Sequence, residues 1–280
     1  MNNVKTLGLL VFLSVLVVAV ASGLGASPVV ALVLAGILNL GAYFFSDKLA
    51  LAASRARAVE EHELPQVYAI VRNLALRAEM PMPRIYLMEQ EQPNAFATGR
   101  SPAKAAVAVT TGILKIMSYD ELEGVLAHEL SHVRNRDILI SSIAAMLAAA
   151  LTLIARMAFW FGGGRDERNN PLGAIGVILG LVVAPLAAMF IRMAISRSRE
   201  YQADRSGAEL TMRPLNLASA LNKIGQATAR IPMDVNPAVS QLFLDNPRKA
   251  FGRRDGMLSL LSTHPPIEER IRRLQELSVR

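Results

Sequence analysis

The stretch Ser118–Asp137 (SYDELEGVLAHELSHVRNRD) decides how this sequence folds at its centre. It opens with a capping box, in which the Ser118 hydroxyl accepts from the Glu121 N–H and the Glu121 carboxylate accepts from the Ser118 N–H. A helix is therefore predicted to begin there. Nothing in the following residues breaks it, so we expect it to run to at least Asp137 and to lead directly into the next apolar segment.

The same stretch carries the motif H-E-x-x-H, with His128, Glu129 and His132. Residues four apart lie on one helical face with Cβ atoms roughly 5–6 Å apart, so both imidazoles can bind one ion. Zinc accepts such donors and leaves one position open for water, and Glu129 is the candidate base for that water. The alternative is an exposed helix with incidental histidines, but two of the chain's four histidines lie here.

A catalytic zinc site needs a third protein ligand, and the candidates are acidic residues and His264. Glu200 stands out, because it follows the fourth apolar segment of the chain on a predicted helix. That segment should return the chain to the surface that it left after His132. Asp204, one turn later, is predicted to accept a hydrogen bond from a ligand imidazole. The alternative for both carboxylates is an ordinary solvated helix face.

Four apolar segments interrupt the polar sequence, and each approaches the roughly 20 residues that cross a bilayer. We predict two transmembrane helical hairpins, in residues 1–46 and 138–196. The alternatives are a cleaved signal peptide for the first segment and a buried soluble hairpin for the third and fourth. The four segments are Thr6–Gly25, Val29–Phe45, Ile138–Phe161 and Leu172–Ile195.

Lysine and arginine lie mainly on one side of these segments. The loop between the first two segments has no charge, whereas Lys48, Arg55 and Arg57 follow the second segment. The positive-inside rule then places both termini and both polar blocks, residues 47–137 and 197–280, in the cytoplasm. We therefore predict a multi-pass protein of the inner or plasma membrane with a cytoplasmic catalytic domain in two parts.

The composition excludes several classes of protein. The chain has no cysteine, which rules out a disulfide framework, a cysteine-ligated metal and a thiol nucleophile. Its net charge of +7 is spread through the polar blocks and forms no compact basic run with interleaved aromatics, so no nucleic-acid partner is expected. A basic surface facing anionic lipid explains the charge more simply, and the lipid bilayer is a predicted partner.

The first polar block also contains patterns typical of other elements. Pro65 suits the first turn of a helix over Glu63–Glu79. Arg84–Glu89 and Lys104–Thr111 are predicted to be strands. Together with the apolar segments, these patterns indicate a mostly α, integral-membrane protein with one small sheet.

Five ordered stretches, spread over nearly the whole chain, resemble the HtpX heat-shock protease family. That family consists of membrane-anchored zinc metalloproteases related to the CAAX prenyl endopeptidases, and it implies a zincin-like α+β catalytic domain. The matching stretches are Asn94–Arg100 (NAFATGR), Ala105–Leu114 (AAVAVTTGIL), Leu126–Asp137 (LAHELSHVRNRD), Ser198–Asp204 (SREYQAD) and Ser262–Pro266 (STHPP).

The resemblance implies one Zn²⁺ per chain, with Glu129 as general base. It also implies that Asn94 and His264 are catalytic residues that bind the substrate backbone or the oxyanion. The alternative is that Asn94 is a turn residue and that His264 is a surface histidine. The implied zinc ligands are His128, His132 and Glu200.

The resemblance further implies a strand that pairs with an extended substrate. This strand would be an edge strand, whose unpaired amides and carbonyls allow β-augmentation. Its residues are Ala105, Ala106, Val107, Ala108, Val109, Thr110 and Thr111.

The implied function is an endopeptidase that degrades unfolded or misfolded membrane proteins. One alternative is a narrow processing protease of the CAAX type. Another is a non-catalytic membrane scaffold or transporter with a structural metal. The presence of Glu129 argues against the scaffold, because a structural metal site needs no general base.

Overall fold

A computed structural model of the chain describes residues 27–139, 197–231 and 265–279, with scattered positions between residues 7 and 22. The predictions for the third and fourth apolar segments beyond residue 139, and for His264, lie outside the described residues. A 3-10 turn spans Pro102–Lys104. The elements, in chain order, are α1 (Pro28–Ala53), β1 (Arg57–Ala58), α2 (Pro65–Arg77), β2 (Arg84–Met88), β3 (Ala95–Thr98), β4 (Ala106–Thr110), α3 (Thr111–Ile116), α4 (Tyr119–Arg134), α5 (Arg197–Thr211), α6 (Pro214–Arg230) and α7 (Ile267–Ser278).

The sheet has the strand order β1-β2-β4-β3. β2 and β4 are parallel, with Ile85 opposite Val107, whereas β1 and β3 are antiparallel to their neighbours. The prediction that Ala105–Thr111 forms an edge strand is therefore wrong, because β4 has a strand on each side. Thr111 already begins α3. The strand at this edge of the sheet is β3.

The hairpin that places β3 outside β4 depends on Gly99. This residue has φ of 140°, a backbone conformation that other residues rarely adopt. A Cβ on Gly99 would lie 2.7 Å from the Lys104 carbonyl oxygen. Glycine thus allows the chain to reverse within a short turn and to pair β3 with β4.

Helix α4 is the centre of the domain, where it packs against α2, α5, α6 and β3. Its apolar residues Leu126, Leu130 and Val133 are fully buried. Each such side chain stabilises the fold by about 1.5–3 kcal/mol relative to an exposed one. These buried residues lie before, within and after the H-E-x-x-H motif, so the motif also lies in the interior.

Two predictions about helix starts are confirmed. Ser118 Oγ accepts from the Glu121 N–H at 3.3 Å, and Glu121 Oε2 accepts from the Ser118 N–H at 2.8 Å, which completes the capping box. Pro65 is the first residue of α2. The predicted strand Arg84–Glu89 appears as β2.

The prediction that α4 runs to at least Asp137 is wrong, because the helix ends at Arg134. Arg136 has φ of 58°, in the left-handed region that ends many helices. The Asp137 N–H then donates to the His132 carbonyl at 2.9 Å. This reversal brings Asp137 back against the motif instead of continuing the helix.

Helix α1 contains the predicted second span, Val29–Phe45. Its two parts, Pro28–Gly41 and Tyr43–Ala53, meet at an angle of 59°. Within the described part of the chain, no single helix has the length and hydropathy needed to cross a bilayer, but these two parts meet both requirements together.

Candidate metal centre

The structure brings His128, His132 and Glu200 together at the interface of α4 and α5. Their candidate ligand atoms all lie within 4.8 Å of one another. The Nε2 atoms of His128 and His132 lie 3.8 and 3.5 Å from the two Glu200 carboxylate oxygens. Bonds of about 2.0–2.2 Å in a tetrahedral zinc site place ligand atoms roughly 3.3–3.6 Å apart. The group is therefore close to the arrangement that would hold such an ion.

Carboxylates hold the opposite side of each imidazole. Asp204 Oδ1 lies 3.0 Å from His128 Nδ1, and Asp137 Oδ2 lies 3.3 Å from His132 Nδ1. A carboxylate at Nδ1 favours the proton there and leaves the Nε2 lone pair for a metal. The sequence suggested Asp204 for this position but not Asp137, since a continuous helix would carry Asp137 away from His132.

Arg270 of α7 is the largest fully buried side chain near these ligands. Its Nε and Nη2 donate to the two Asp204 oxygens at 2.9 and 2.7 Å, a bidentate pair that fixes the carboxylate. Its Nη2 also lies 3.4 and 3.5 Å from the His128 ring nitrogens. Arg270 thus positions His128 through Asp204.

Sequence reasoning missed Arg270, although one pattern could have revealed it. Arg270 lies between Ile267 and Leu274, whose side chains form the buried stripe of α7. An arginine on the apolar stripe of an amphipathic helix needs a buried partner, because an unpaired buried charge is costly.

Six charged side chains of the described residues lie in this interior group. Four carboxylates and two guanidinium groups are each at most 9% exposed. Among these described residues, with both imidazoles in the neutral form that binds a metal, four negative and two positive charges give a sum of −2. A divalent cation bound at the imidazoles would offset this negative charge. The six residues are Glu129, Asp137, Glu200 and Asp204 with Arg199 and Arg270.

Burial and charge shift two of these carboxyl groups in opposite directions. Burial raises the pKa of Glu129 above its ordinary value, against the opposing effect of the neighbouring imidazoles. Burial would also raise the pKa of Asp204, but the charge and hydrogen bonds of Arg270 and the hydrogen bond with His128 together outweigh it and hold that pKa well below its usual range. Glu129 is thus the carboxylate whose proton affinity suits a general base.

Glu129 also contacts the outer strand of the sheet. Its Oε2 accepts a hydrogen bond from the Ala97 N–H at 2.9 Å. Ala97 lies opposite Val107 in the antiparallel pair of β3 and β4. The residue pairs before and after this one form the hydrogen bonds between the two strands, so the Ala97 N–H points away from β4. The outer edge of β3 therefore borders the candidate base.

Asn94 directly precedes β3 and is 1% exposed. Its N–H donates to Thr110 Oγ1 at 2.9 Å, and its carbonyl accepts from the Thr110 N–H at 2.9 Å. These contacts fix the start of β3 on β4. The proposed contact of its side chain with substrate stays a prediction.

Helices α4 and α5 approach closely at Gly207. A Cβ at this position would lie 2.9 Å from the His128 backbone nitrogen and 3.1 Å from its Cα. Glu200 and Asp204 precede Gly207 at helical spacing and lie on the same buried face of α5. Because Gly207 has no side chain, α5 can approach α4 closely enough for both carboxylates to reach His128.

Comparison with known proteins identifies the family. Residues 61–278 match peptidase family M48. The chain is 49% identical to the Protease HtpX homolog of Thermodesulfovibrio yellowstonii, with 100% of both chains covered. It is 48% identical to that of Syntrophobacter fumaroxidans, with 99% of both covered. The chain belongs to the HtpX proteases of peptidase family M48. This HtpX-family protein is therefore a metalloprotease, and the resemblance found in the sequence is confirmed.

The fold of this protease is also similar to a solved structure, the crystal structure of S. mikatae Ste24p. The TM-score is 0.53 at 18% sequence identity. The match covers 98% of this chain, and the chain spans 65% of the length of that one. At this identity the likeness is one of fold.

Proposed function

We propose that this protein is a membrane-anchored, zinc-dependent endopeptidase with Glu129 as its general base. The observation that carries the proposal is the convergence of His128, His132 and Glu200 within 4.8 Å. Two imidazoles and one carboxylate are a donor set of catalytic zinc sites, which keep a position open for water or substrate. Bound there, zinc would acidify a water molecule and polarise the scissile carbonyl.

Glu129 would move the proton. Its carboxylate follows His128 directly on α4 and is 6% exposed, in surroundings that raise its pKa. The Ala97 N–H holds one of its oxygens, which leaves the other to accept a proton from water and to return it to the leaving amine.

The outer edge of β3 is the surface that we propose for the substrate backbone. The outward-facing peptide groups of Ala95 and the carbonyl of Ala97 can pair with an extended segment, which would then pass beside Glu129. Ala95 and Ala97 are 0% and 7% exposed, so docking requires neighbouring groups to move away from this edge.

Two observations support anchoring in the membrane. Large apolar side chains of α1 are exposed along its length, including Val29 at 70% and Leu32 at 62%. Asn39 Nδ2 donates to Ser14 Oγ at 2.7 Å, a contact between the first and second apolar segments that suits a membrane hairpin. We propose further that the polar blocks face the cytoplasm, and that the substrates are unfolded or misfolded membrane proteins.

Metal analysis combined with proteolysis tests the proposal. The purified full chain is expected to carry one zinc and to cleave an unfolded membrane protein in a chelator-sensitive manner. Glu129→Gln should keep the metal and lose about 10²–10⁴-fold in rate, because the proton acceptor is gone. Glu123→Gln, a buried glutamate of the same helix, is the matched control and should keep the rate.

Three results would each contradict one part of the proposal. Full activity of metal-loaded Glu129→Gln would exclude Glu129 as the base. Unchanged metal content in Glu200→Ala would show that another residue completes the site. A preference for a short prenylated peptide over the unfolded protein would replace the quality-control role with a narrow processing role.

A further inference from the structure

A groove of about 850 Å³ lies between α1 and the end of the sheet where β2 and β4 begin. Its walls are α1 on one side and the turn from β3 to β4 on the other. None of its lining residues is a candidate metal ligand. The volume lies in the range of sites that bind small molecules, which is about 300–1,000 Å³.

The groove carries excess positive charge. Four basic residues and one acidic residue line it, so its net charge is +3. The acidic residue, Asp47, pairs with Arg84 at 3.1 Å. Lys48, Arg100 and Lys104 have no carboxylate partner in the described parts of the chain. Three cations therefore face a cavity whose one carboxylate is already paired with Arg84.

The α1 wall of the groove is apolar and exposed. Ile37 and Leu40 are 61% and 60% exposed, and Phe44 and Phe45 also line this wall. The Arg100 guanidinium lies 4.7 Å from the centroid of the Phe44 ring. Cationic and apolar surfaces are thus in direct contact within one groove.

A ligand that satisfies both walls needs an anionic group joined to a hydrocarbon. A nucleic acid or acidic peptide supplies the charge but leaves the apolar wall in water. A neutral lipid covers the apolar wall but leaves the cations without a partner. An anionic phospholipid supplies both parts in one molecule.

The position along α1 agrees with this ligand. From Pro28 to Ser46 the helix has no charged residue, and its first charged residues, Asp47 and Lys48, line the groove. This change from apolar to charged sequence is the change that a bilayer makes from hydrocarbon to headgroups.

We propose that this groove binds one anionic phospholipid, with its phosphate at Lys48, Arg100 and Lys104 and an acyl chain along Ile37 and Phe44. The inference rests on the membrane anchoring proposed above. It adds a lipid site that is separate from the metal centre.

Native mass spectrometry of the full chain in mild detergent tests the proposal. The chain is offered phosphatidylglycerol and phosphatidylcholine with identical acyl chains, and retained lipids are counted. We expect one phosphatidylglycerol per chain in preference to phosphatidylcholine. The double variant Arg100→Gln, Lys104→Gln should weaken this binding roughly 25-fold, at about fivefold per basic residue. The charge-conserving variant Arg100→Lys, Lys104→Arg should retain it.

The matched control is the double variant Arg205→Gln, Arg272→Gln, which removes two exposed basic residues from α5 and α7. Equal retention of both lipids, or an equal loss in this control, would overturn the proposal. Displacement of the lipid by glycerol phosphate alone would also overturn it, because the acyl chain would then contribute nothing. Lys104→Gln alone, at an exposed position, gives the same comparison if the double variant does not fold.

Alkaline carbonate extraction separates this inference from the proposal that it rests on. Release of the chain from membranes would refute the anchoring and the lipid site together. A chain that stays in the membrane but shows no preference for phosphatidylglycerol would refute the lipid site alone.

Discussion

In the candidate metal centre charged side chains are buried, whereas on α1 apolar side chains are exposed. Glu129, Asp204 and Arg270 are at most 6% exposed, while Val29 is 70% exposed. Buried charges persist only with partner charges or a metal, and a long exposed apolar surface persists only where water is replaced. Each region therefore departs from the usual distribution of charged and apolar side chains at the place where we propose that the chain binds a partner, which is an ion at the first region and lipid at the second.

The largest expected effect comes from breaking the buried charge group. Arg270→Met removes the bidentate partner of Asp204 and leaves that carboxylate buried. Loss of one partner of a buried ion pair costs about 3–5 kcal/mol. We also expect zinc affinity to fall about 10–100-fold, because Asp204 no longer orients His128. Urea unfolding in detergent and competition with a chelator measure the two effects.

Arg272→Met is the matched control for this prediction. Arg272 lies on the same helix and pairs with Glu269 and Glu276 at the surface. Such surface pairs contribute about 0–1 kcal/mol. If both variants changed stability and zinc affinity equally, Arg270 would have no special part in positioning the ligand.

The second prediction concerns the contact between α4 and α5. Gly207→Ala places a Cβ 2.9 Å from the His128 backbone nitrogen, so the helices must separate. Overpacking of this kind costs about 1–3 kcal/mol. Zinc affinity should fall with stability, since Glu200 and Asp204 move with α5. Ser206→Ala, the neighbouring residue, should change neither quantity, and an unaffected metal site in Gly207→Ala would show that the helices have room to adjust.

The third prediction is a pH dependence at the start of α4. Burial would raise the pKa of Glu121, but hydrogen bonds with Lys223, Ser118 and Ser219 together outweigh it and lower the pKa to about 2, from 4.5. A carboxyl group whose pKa is lower in the folded state stabilises the fold at pH values above its pKa in the unfolded state. This contribution is lost as the pH falls from 4.5 towards 2.

Glu121→Gln should therefore reduce the free energy of unfolding by about 1.5–3 kcal/mol at pH 7, since it removes charge-assisted hydrogen bonds. The difference from the unmodified protein should shrink as the pH falls through this window. Asp120→Asn, an exposed neighbour paired with Arg213, is the control. A difference that stayed constant from pH 7 to pH 3 would contradict the assigned direction.

The smallest effect on stability is expected for a substitution in α1, and it tests the contrast between exposed and buried side chains. Ile37→Ser changes a side chain that is 61% exposed, so the catalytic domain should lose no more than about 0.5 kcal/mol. Ile70→Ser changes a fully buried isoleucine of α2 and should cost at least about 2–5 kcal/mol. Equal losses in urea unfolding would show that α1 belongs to the core of the domain.

Features that depend on neighbouring residues could be predicted from the sequence. The capping box of Ser118 and Glu121 is complete within four residues. His128 and His132 share a face through helix geometry alone. Glu200 required only the further inference that the chain returns to the surface it had left.

Features that depend on distant contacts were missed. The sheet order is set by which strands pair in space, so the sequence of β4 gave no sign that β3 covers its outer edge. Asp137 reaches His132 only because Arg136 adopts a left-handed conformation. Arg270 reaches Asp204 across 66 residues, and only its place on the apolar stripe of α7 hinted at burial.

The order of the site residues along the chain has a consequence during synthesis on the ribosome. The two imidazoles of α4 emerge first, Glu200 follows 68 residues after His132, and Arg270 comes last. A nascent chain that ends before Glu200 has two of the three ligands that converge in the folded protein. Proteolytic activity therefore cannot arise until late in translation, when α5 has supplied the third ligand and α7 has supplied Arg270.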